Sequence, residues 1–297
     1  MRYSLIVGAA AVALFGSVAA ASQIDVSFFG QHGWKSDDTR DAGGTDLVGT
    51  NYTHAGKPGA VPSAAHDTAI AQQIQFVAGP AGSTYGGAVA IDSTTSNSGK
   101  STISVIDTGA GFAAASSLLT DFEAMYEWHK SSSRTLAFRL GIQSTDWASS
   151  QAGFTATRSG ESVWDLVLVH VPTAGTLGAW NSVSLSASTG LWYLYDQAGN
   201  PYYTTPNGTE AKTLDDWAVD ATFGAKLFGT GATVSSIQFG HGSGQANGFS
   251  YVDYLQTNLL NGGDVINFDA APVPLPVAAL GGLALMGGMG LTRRSRR

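Results

Sequence analysis

The 297-residue chain has no cysteine. That removes disulfide staples, thiolate nucleophiles and cysteine-bound metals from consideration. It is also poor in charge: Asp, Glu, Lys and Arg make up 12% of its residues, about half the ordinary share of ~25%. Five of the fifteen basic residues (Arg2, Arg293, Arg294, Arg296 and Arg297) sit at the two ends. Between them ten basic residues face twenty-two acidic ones, a balance of −12. A nucleic acid needs a basic footprint, and this stretch offers none, so no nucleic-acid partner is expected. Catalytic signatures are missing as well. There is no GxSxG elbow, no HExxH, and the six histidines (32, 54, 66, 129, 170, 241) lack metal-ligand spacing.

The ends are the most legible parts. Met1-Arg2 is followed by an almost wholly apolar run from Leu5 to Val18 and by Ala19-Ala20-Ala21, after which polar sequence begins at Ser22-Gln23. A positive start, an apolar core and small residues before a polar boundary are the parts of a signal peptide, here residues 1–21. The other end carries Val273-Pro274-Leu275-Pro276, an apolar and glycine-rich run to Leu291, and the cluster Arg293, Arg294, Arg296, Arg297. The fifteen residues 277–291 reach about 22 Å as a helix, short for a bilayer core of ~30 Å unless snorkelling arginines and local thinning make up the difference. Four arginines resist translocation, which orients the segment with its end in the cytoplasm and the body outside.

That tail resembles the PEP-CTERM class of sorting signals in its VPLPA variant, with Val277 where the variant usually has alanine. The resemblance covers about 25 residues and implies an exported protein of a Gram-negative bacterium. It further implies transient anchoring in the inner membrane and processing by an exosortase, with delivery to the cell surface or the extracellular polysaccharide. Pro274 and Pro276, lacking amide donors, hold the chain extended and end the helix at its outer side, where a protease has access.

The body, residues 22–271, reads as one large β domain, and residues 272–297 as the sorting signal. In "TLAFRLGIQ" Leu136, Phe138, Leu140 and Ile142 face one way and Ala137, Arg139 and Gly141 the other, the mark of a half-buried strand. "VWDLVLVHV" (163–171) is apolar on both faces, as in a central strand. "LWYLYDQAGNPYYTT" reads as a hairpin. Further strands are expected over 24–29, 72–77, 85–91, 101–107, 122–129, 183–187, 233–239, 250–256 and 264–268, with 30–66 irregular. A dozen short strands without a long helix fit a two-sheet sandwich or jelly roll. "GHGSGQANGFSYVDYL" (240–255) weakly resembles the closing segment of concanavalin-like and carbohydrate-binding jelly rolls, which implies a buried aspartate at Asp253.

Several groups within the body are candidates for chemistry. Gly109-x-Gly111-x-x-Ala114 imitates a dinucleotide fingerprint, but no strand-helix alternation follows, and a glycine-rich turn accounts for it. Asp121, Glu123 and Glu127 share one face if their segment is a strand, the first two about 7 Å apart, within the ~6.5–9.5 Å of an inverting glycosidase pair. A solvent-facing row opposite Phe122, Ala124 and Tyr126 on the core face is the reading preferred for them. Asp37, Asp38, Asp41 and Asp46 in a Gly-rich loop, or Asp253, are possible Ca²⁺ ligands without EF-hand spacing. His170 reads as a core residue. Trp192, Tyr193, Tyr195, Tyr202 and Tyr203 offer an aromatic platform for sugars, half of it necessarily core. Three functions compete for the body, in this order: structural or adhesive matrix protein, carbohydrate-binding module, and glycoside hydrolase using Asp121 and Glu123.

Overall fold

The computed structural model describes residues 22–36, 39–40, 46–47, 63–92, 101–107, 109–131, 135–150, 165–173, 175–196, 201–202, 211–241, 249–260 and 263–269. The signal segment 1–21, Asp37, Asp38, Asp41, Tyr203 and the whole tail with its sorting motif and arginines lie outside them. Among the described residues no helix is long and apolar enough to cross a membrane.

In chain order the first strands are β1 (Gln23–Val26), β2 (Trp34–Ser36), β3 (Thr39–Arg40) and β4 (Asp46–Leu47). Helix α1 (Ala64–Gln73) precedes β5 (Ile74–Ala78), β6 (Gly87–Asp92), β7 (Ser101–Ile106), β8 (Ala113–Ala114), β9 (Glu123–Lys130) and β10 (Ala137–Gln143). After α2 (Thr145–Ser150) come β11 (Leu166–His170), β12 (Trp180–Ser186), β13 (Trp192–Asp196) and β14 (Pro201–Tyr202). Short helices α3 (Leu214–Ala218) and α4 (Gly224–Phe228) lead into β15 (Thr233–His241), β16 (Phe249–Thr257) and β17 (Val265–Phe268). Each of the thirteen strand segments expected from the sequence overlaps an observed strand. Helix α1 was not expected: it overlaps the start of the 72–77 segment and ends the irregular stretch. Its alanine-rich sequence buries only Ile70 and Gln73, so no apolar period marks it, while the Ser63 hydroxyl caps its start by accepting the His66 amide at 3.2 Å.

Apart from β3 and β4, which pair with each other as a small separate ribbon, the strands form two facing sheets, an all-β jelly-roll sandwich. In the first sheet β16 is central, with β9 and then β12 on one side and β6–β5 and β17–β1 on the other. The second runs β14-β13-β11-β10-β15-β7-β2, with β8 added to β15. All ladders are antiparallel except β1 on β17, which pair in parallel from Gln23↔Val265 to Val26↔Phe268. The chain crosses between sheets repeatedly, so the apolar half of each strand must meet strands distant in sequence.

What holds the sheets together is a seam of rings. Trp34 meets Phe268 at 4.9 Å, Phe268 meets Phe239, and Phe239 contacts both Tyr126 and Phe138 at 5.2 Å. Phe138 then leads to Trp192 and on to Phe122. Ring pairs at such centroid distances add ~0.5–1.5 kcal/mol each beyond their buried area. One end is closed by Trp147, Trp217, Phe223 and Phe228 of the helical segments. Trp34, Trp128, Trp147, Trp192 and Trp217 are all fully buried, so packing supplies the rigidity that disulfides cannot.

Candidate binding face

Because side chains alternate along each strand, every residue that packs into the seam leaves its neighbours on an outward face. On the second sheet those outward neighbours are in register. Lys35 on β2 lies opposite Ser104 on β7, and Ser104 opposite Gln238 on β15. Gln238 lies opposite Arg139 on β10, Arg139 opposite Val169 on β11, and Val169 opposite Tyr193 on β13. Six strands thus contribute one cross-strand row, with four hydrogen-bonding side chains at one end and a tyrosine at the other. A parallel row holds Ile106, Ser236, Gly141, Val167 and Tyr195. There Ile106, Val167, Val169 and Tyr195 form a small apolar cluster separate from the core.

The middle of the row is buried. Arg139 keeps 8% of its surface and Gln238 keeps 2%, and Ser104 is fully buried, whereas Lys35 and Tyr193 at the ends are half-buried. An Arg139 Nη1–H donates to the Thr102 hydroxyl at 3.3 Å, and the Gln238 amide donates to the Ser236 hydroxyl at 3.0 Å. The Ser104 hydroxyl is buried without a hydrogen-bond partner. A buried polar group left in that state costs about 1–3 kcal/mol.

The sequence-level candidates distribute differently. The aromatic hairpin splits by alternation: Tyr193 and Tyr195 face outward into these rows, while Trp192 is fully buried and meets Phe138 and His170 with its ring tilted against theirs. Trp192 is therefore a core residue, not a platform. Tyr202 pairs with Leu194 in β14. His170 faces the core as expected. Its Nδ1 lies 3.0 Å from the Leu191 carbonyl, and burial holds its pKa below the ordinary imidazole value.

Asp121 and Glu123 do not form the strand pair assumed for them. β9 begins at Glu123, and Asp121 sits in the preceding turn, so the two-residue spacing of a strand does not apply. Both are exposed and line an open depression with Thr120, Ser186, Ser188 and Asp215. Gly111, at φ 78°, occupies a turn before the two-residue β8, with no dinucleotide-type helix after it.

Asp253 is fully buried, as the closing-strand resemblance implied, beside the register shift between Val252 and Leu255. One oxygen accepts the Tyr85 amide at 3.0 Å and the other has no partner. Burial raises its pKa, the Thr84 and Tyr85 amides oppose the rise, and Glu127 and Asp269 reinforce it. Among the described residues no three His, Asp or Glu side chains converge on a metal position, Asp253 included. Asp46 lies in β4, paired through Arg40.

No known protein-family model matches the sequence, and no curated protein matches it. Among solved structures the chain is similar to the family 11 carbohydrate-binding module of the cellulosomal cellulase Lic26A-Cel5E of Clostridium thermocellum. That match has 13% identity over 62% of this chain and 78% of the other, with a TM-score of 0.34. The family 11 module from the same organism, in complex with a β-1,3-1,4-mixed-linked tetrasaccharide, matches at 12% identity over 67% and 84% of the two chains, TM-score 0.34. An arabinose-bound α-L-arabinofuranosidase matches at 14% identity over 64% of this chain and 23% of its own, TM-score 0.30. The sandwich itself is read from this chain's own two sheets.

Proposed function

We propose that this is an exported matrix protein whose sandwich holds polysaccharide against the outward face of its second sheet. The observation that carries the reading is the half-buried end of the second sheet's outer face, where Tyr193 beside Val169 and Tyr195 beside Val167 present rings and phenols in register on β13 and β11. Saccharides demand that mixture of hydrogen-bonding groups and a ring. Delivery rests on the two terminal segments: a signal peptide over 1–21 and a VPLP-helix-arginine tail over 272–297 acted on by an exosortase.

Two measurements test the two halves. Mass analysis of the mature product is expected to give an N-terminus at Ser22 and a C-terminus lacking Arg297; a product still ending at Arg297 overturns the processing. A glycan array probed with the mature protein is expected to show binding that Tyr193→Ala lowers at unchanged Tm. Binding indifferent to Tyr193 overturns the assignment of the face.

A further inference from the structure

The edge strands of the two sheets are not alike. β14 has two residues and begins with Pro201, β2 has three and carries Lys35, and β1 has four and carries Asp25. β5 has the Phe29 ring packed on its Phe76 at 5.3 Å. Shortness, proline, charge and cover keep a row of unpaired amides and carbonyls from recruiting another strand. Among the described residues β12 has none of these. It is seven residues long, contains no charge and no proline, and pairs with β9 alone. Its register is unbroken from Trp180↔His129 to Ser186↔Glu123, so no bulge turns it aside. In an antiparallel ladder alternate residues turn their backbone groups toward the paired strand and away from it. The Ser186 amide turns away, to the Thr189 hydroxyl at 2.8 Å. The backbones of Ser184 and Ser182 therefore also point out of the sheet edge, where no bond from a described residue reaches them. From this open edge we propose that β12 pairs antiparallel with β12 of a second copy of the chain, about a two-fold axis through Val183. The proposal does not depend on the glycan reading of the second sheet.

The strand is complementary to itself in that register. Ser182 falls opposite Ser184 of the second copy, so the two exchange backbone hydrogen bonds and their exposed side chains stand side by side. Val183 meets Val183 of the second copy, and each half-buried side chain, packed on the core from the open edge, is covered by the other. The neighbouring β9 selects the register by charge. With the axis at Val183, the row of Glu127 runs through Ser182 to Ser184 and Met125 of the second copy, and the row of Glu123 through Ser186 to Trp180 and His129 of the second copy. An axis at Ser182 puts Glu127 in one row with Glu127 of the second copy, and an axis at Ser184 puts it in one row with Glu123, like charges in both cases. An axis between two residues pairs inward with outward side chains and is closed as well. The two-fold stands normal to the sheet, so both copies turn their second sheets to the same side. Where that face holds glycan, two Tyr193–Tyr195 ends address one polymer, which strengthens the hold without a new contact.

Sedimentation equilibrium of the mature protein between ~1 μM and ~1 mM is expected to show monomer and dimer in exchange, because one strand pair buries less than the ~1,200 Å² of a stable interface. A monomer throughout that range overturns the proposal. Ser184→Pro removes an amide donor that the ladder with β9 does not use, and is expected to weaken dimerisation at least about tenfold at unchanged Tm. Should the proline variant fold poorly, Ser184→Lys decides, since the side chain it replaces is exposed and a charge there blocks an edge in the same way. A dimer indifferent to both variants is held by another surface and overturns the pairing. Register is read by Val183→Cys, which gives a chain without cysteine a single thiol. Directly opposed Cα atoms of such a pair lie about 4.5 Å apart, within disulfide range. A mild oxidant is expected to yield a covalent dimer from Val183→Cys and none from Met125→Cys, one strand in from the seam. No cross-link at Val183, or equal cross-linking at both positions, overturns the strand pairing.

Discussion

On the first sheet the outward positions bear Asp25, Asp92, Glu123 and Glu127 along with exposed Met125 and Phe249; on the second they bear Lys35, Arg139, Gln238, Ser104 and two tyrosines. Both faces stand on the same aromatic seam. The inward halves of the strands are of one kind, large and apolar, and would serve many sandwiches. The outward halves are where this chain differs from a generic one: the first face carries solvated acids, and the second a largely buried layer of hydrogen-bonding side chains that ends in half-buried tyrosines.

The most disruptive way to break the comparison is to remove what the faces share. Phe138→Ala, in the centre of the seam beside Arg139, is expected to destabilise the whole sandwich by about 3–5 kcal/mol, read as a single lowered transition in calorimetry. Two separate transitions would mean that the sheets do not share one core. A smaller effect is expected from Glu127→Gln on the first face. Glu127 accepts the Thr84 hydroxyl at 2.7 Å and the Ser182 hydroxyl at 3.3 Å, bonds to a partly screened carboxylate worth roughly 0.5–1.5 kcal/mol together, and glycan binding should not change.

Asp253 sharpens the contrast through pH. Its native carboxyl holds a proton more tightly than the unfolded chain does, so its contribution to stability falls as pH rises from the unfolded carboxyl value, about 3.9, through the raised native one. Asp253→Asn is expected to raise Tm by a few degrees at pH 7, with the difference shrinking toward pH 3; a lowered Tm at pH 7 would mean that the ionised form is paired in the fold. The smallest effect belongs to Met125→Ser, at 44% exposure on the first face. Its Tm should shift by no more than about 0.5 kcal/mol allows, with polysaccharide binding intact.

Much of this fold was legible because alternation is a local property. "TLAFRLGIQ" announces its inward set (Leu136, Phe138, Leu140, Ile142) without help from any other segment, and that set is core; the other set is covered too, Ala137 at 6% and Arg139 at 8%, so the strand is buried on both faces instead of half-buried. Arg139 therefore already stood on the outward side in the sequence. What the sequence did not show was its line-up with Lys35, Ser104, Gln238 and Tyr193, five strands drawn from five distant places, because register between distant strands leaves no trace in any one of them. The same limit misled the reading of Asp121 and Glu123, whose spacing had meaning only if the strand began two residues earlier. Trp192 stood out by composition, yet its place in the alternation of β13 sends it to the core.

The parallel pairing of β1 with β17 also fixes the geography of the molecule. Ser22 and Asp264 meet at one pole, where the Ser22 amide and hydroxyl both reach the Asp264 carboxylate, and the chain leaves the last strand at Asp269, at the other pole, where the Asp269 amide bonds to Val26. The chain thus enters this pair of strands at one pole and leaves it at the other, so tension between Ser22 and Asp269 loads the β1–β17 ladder along its length.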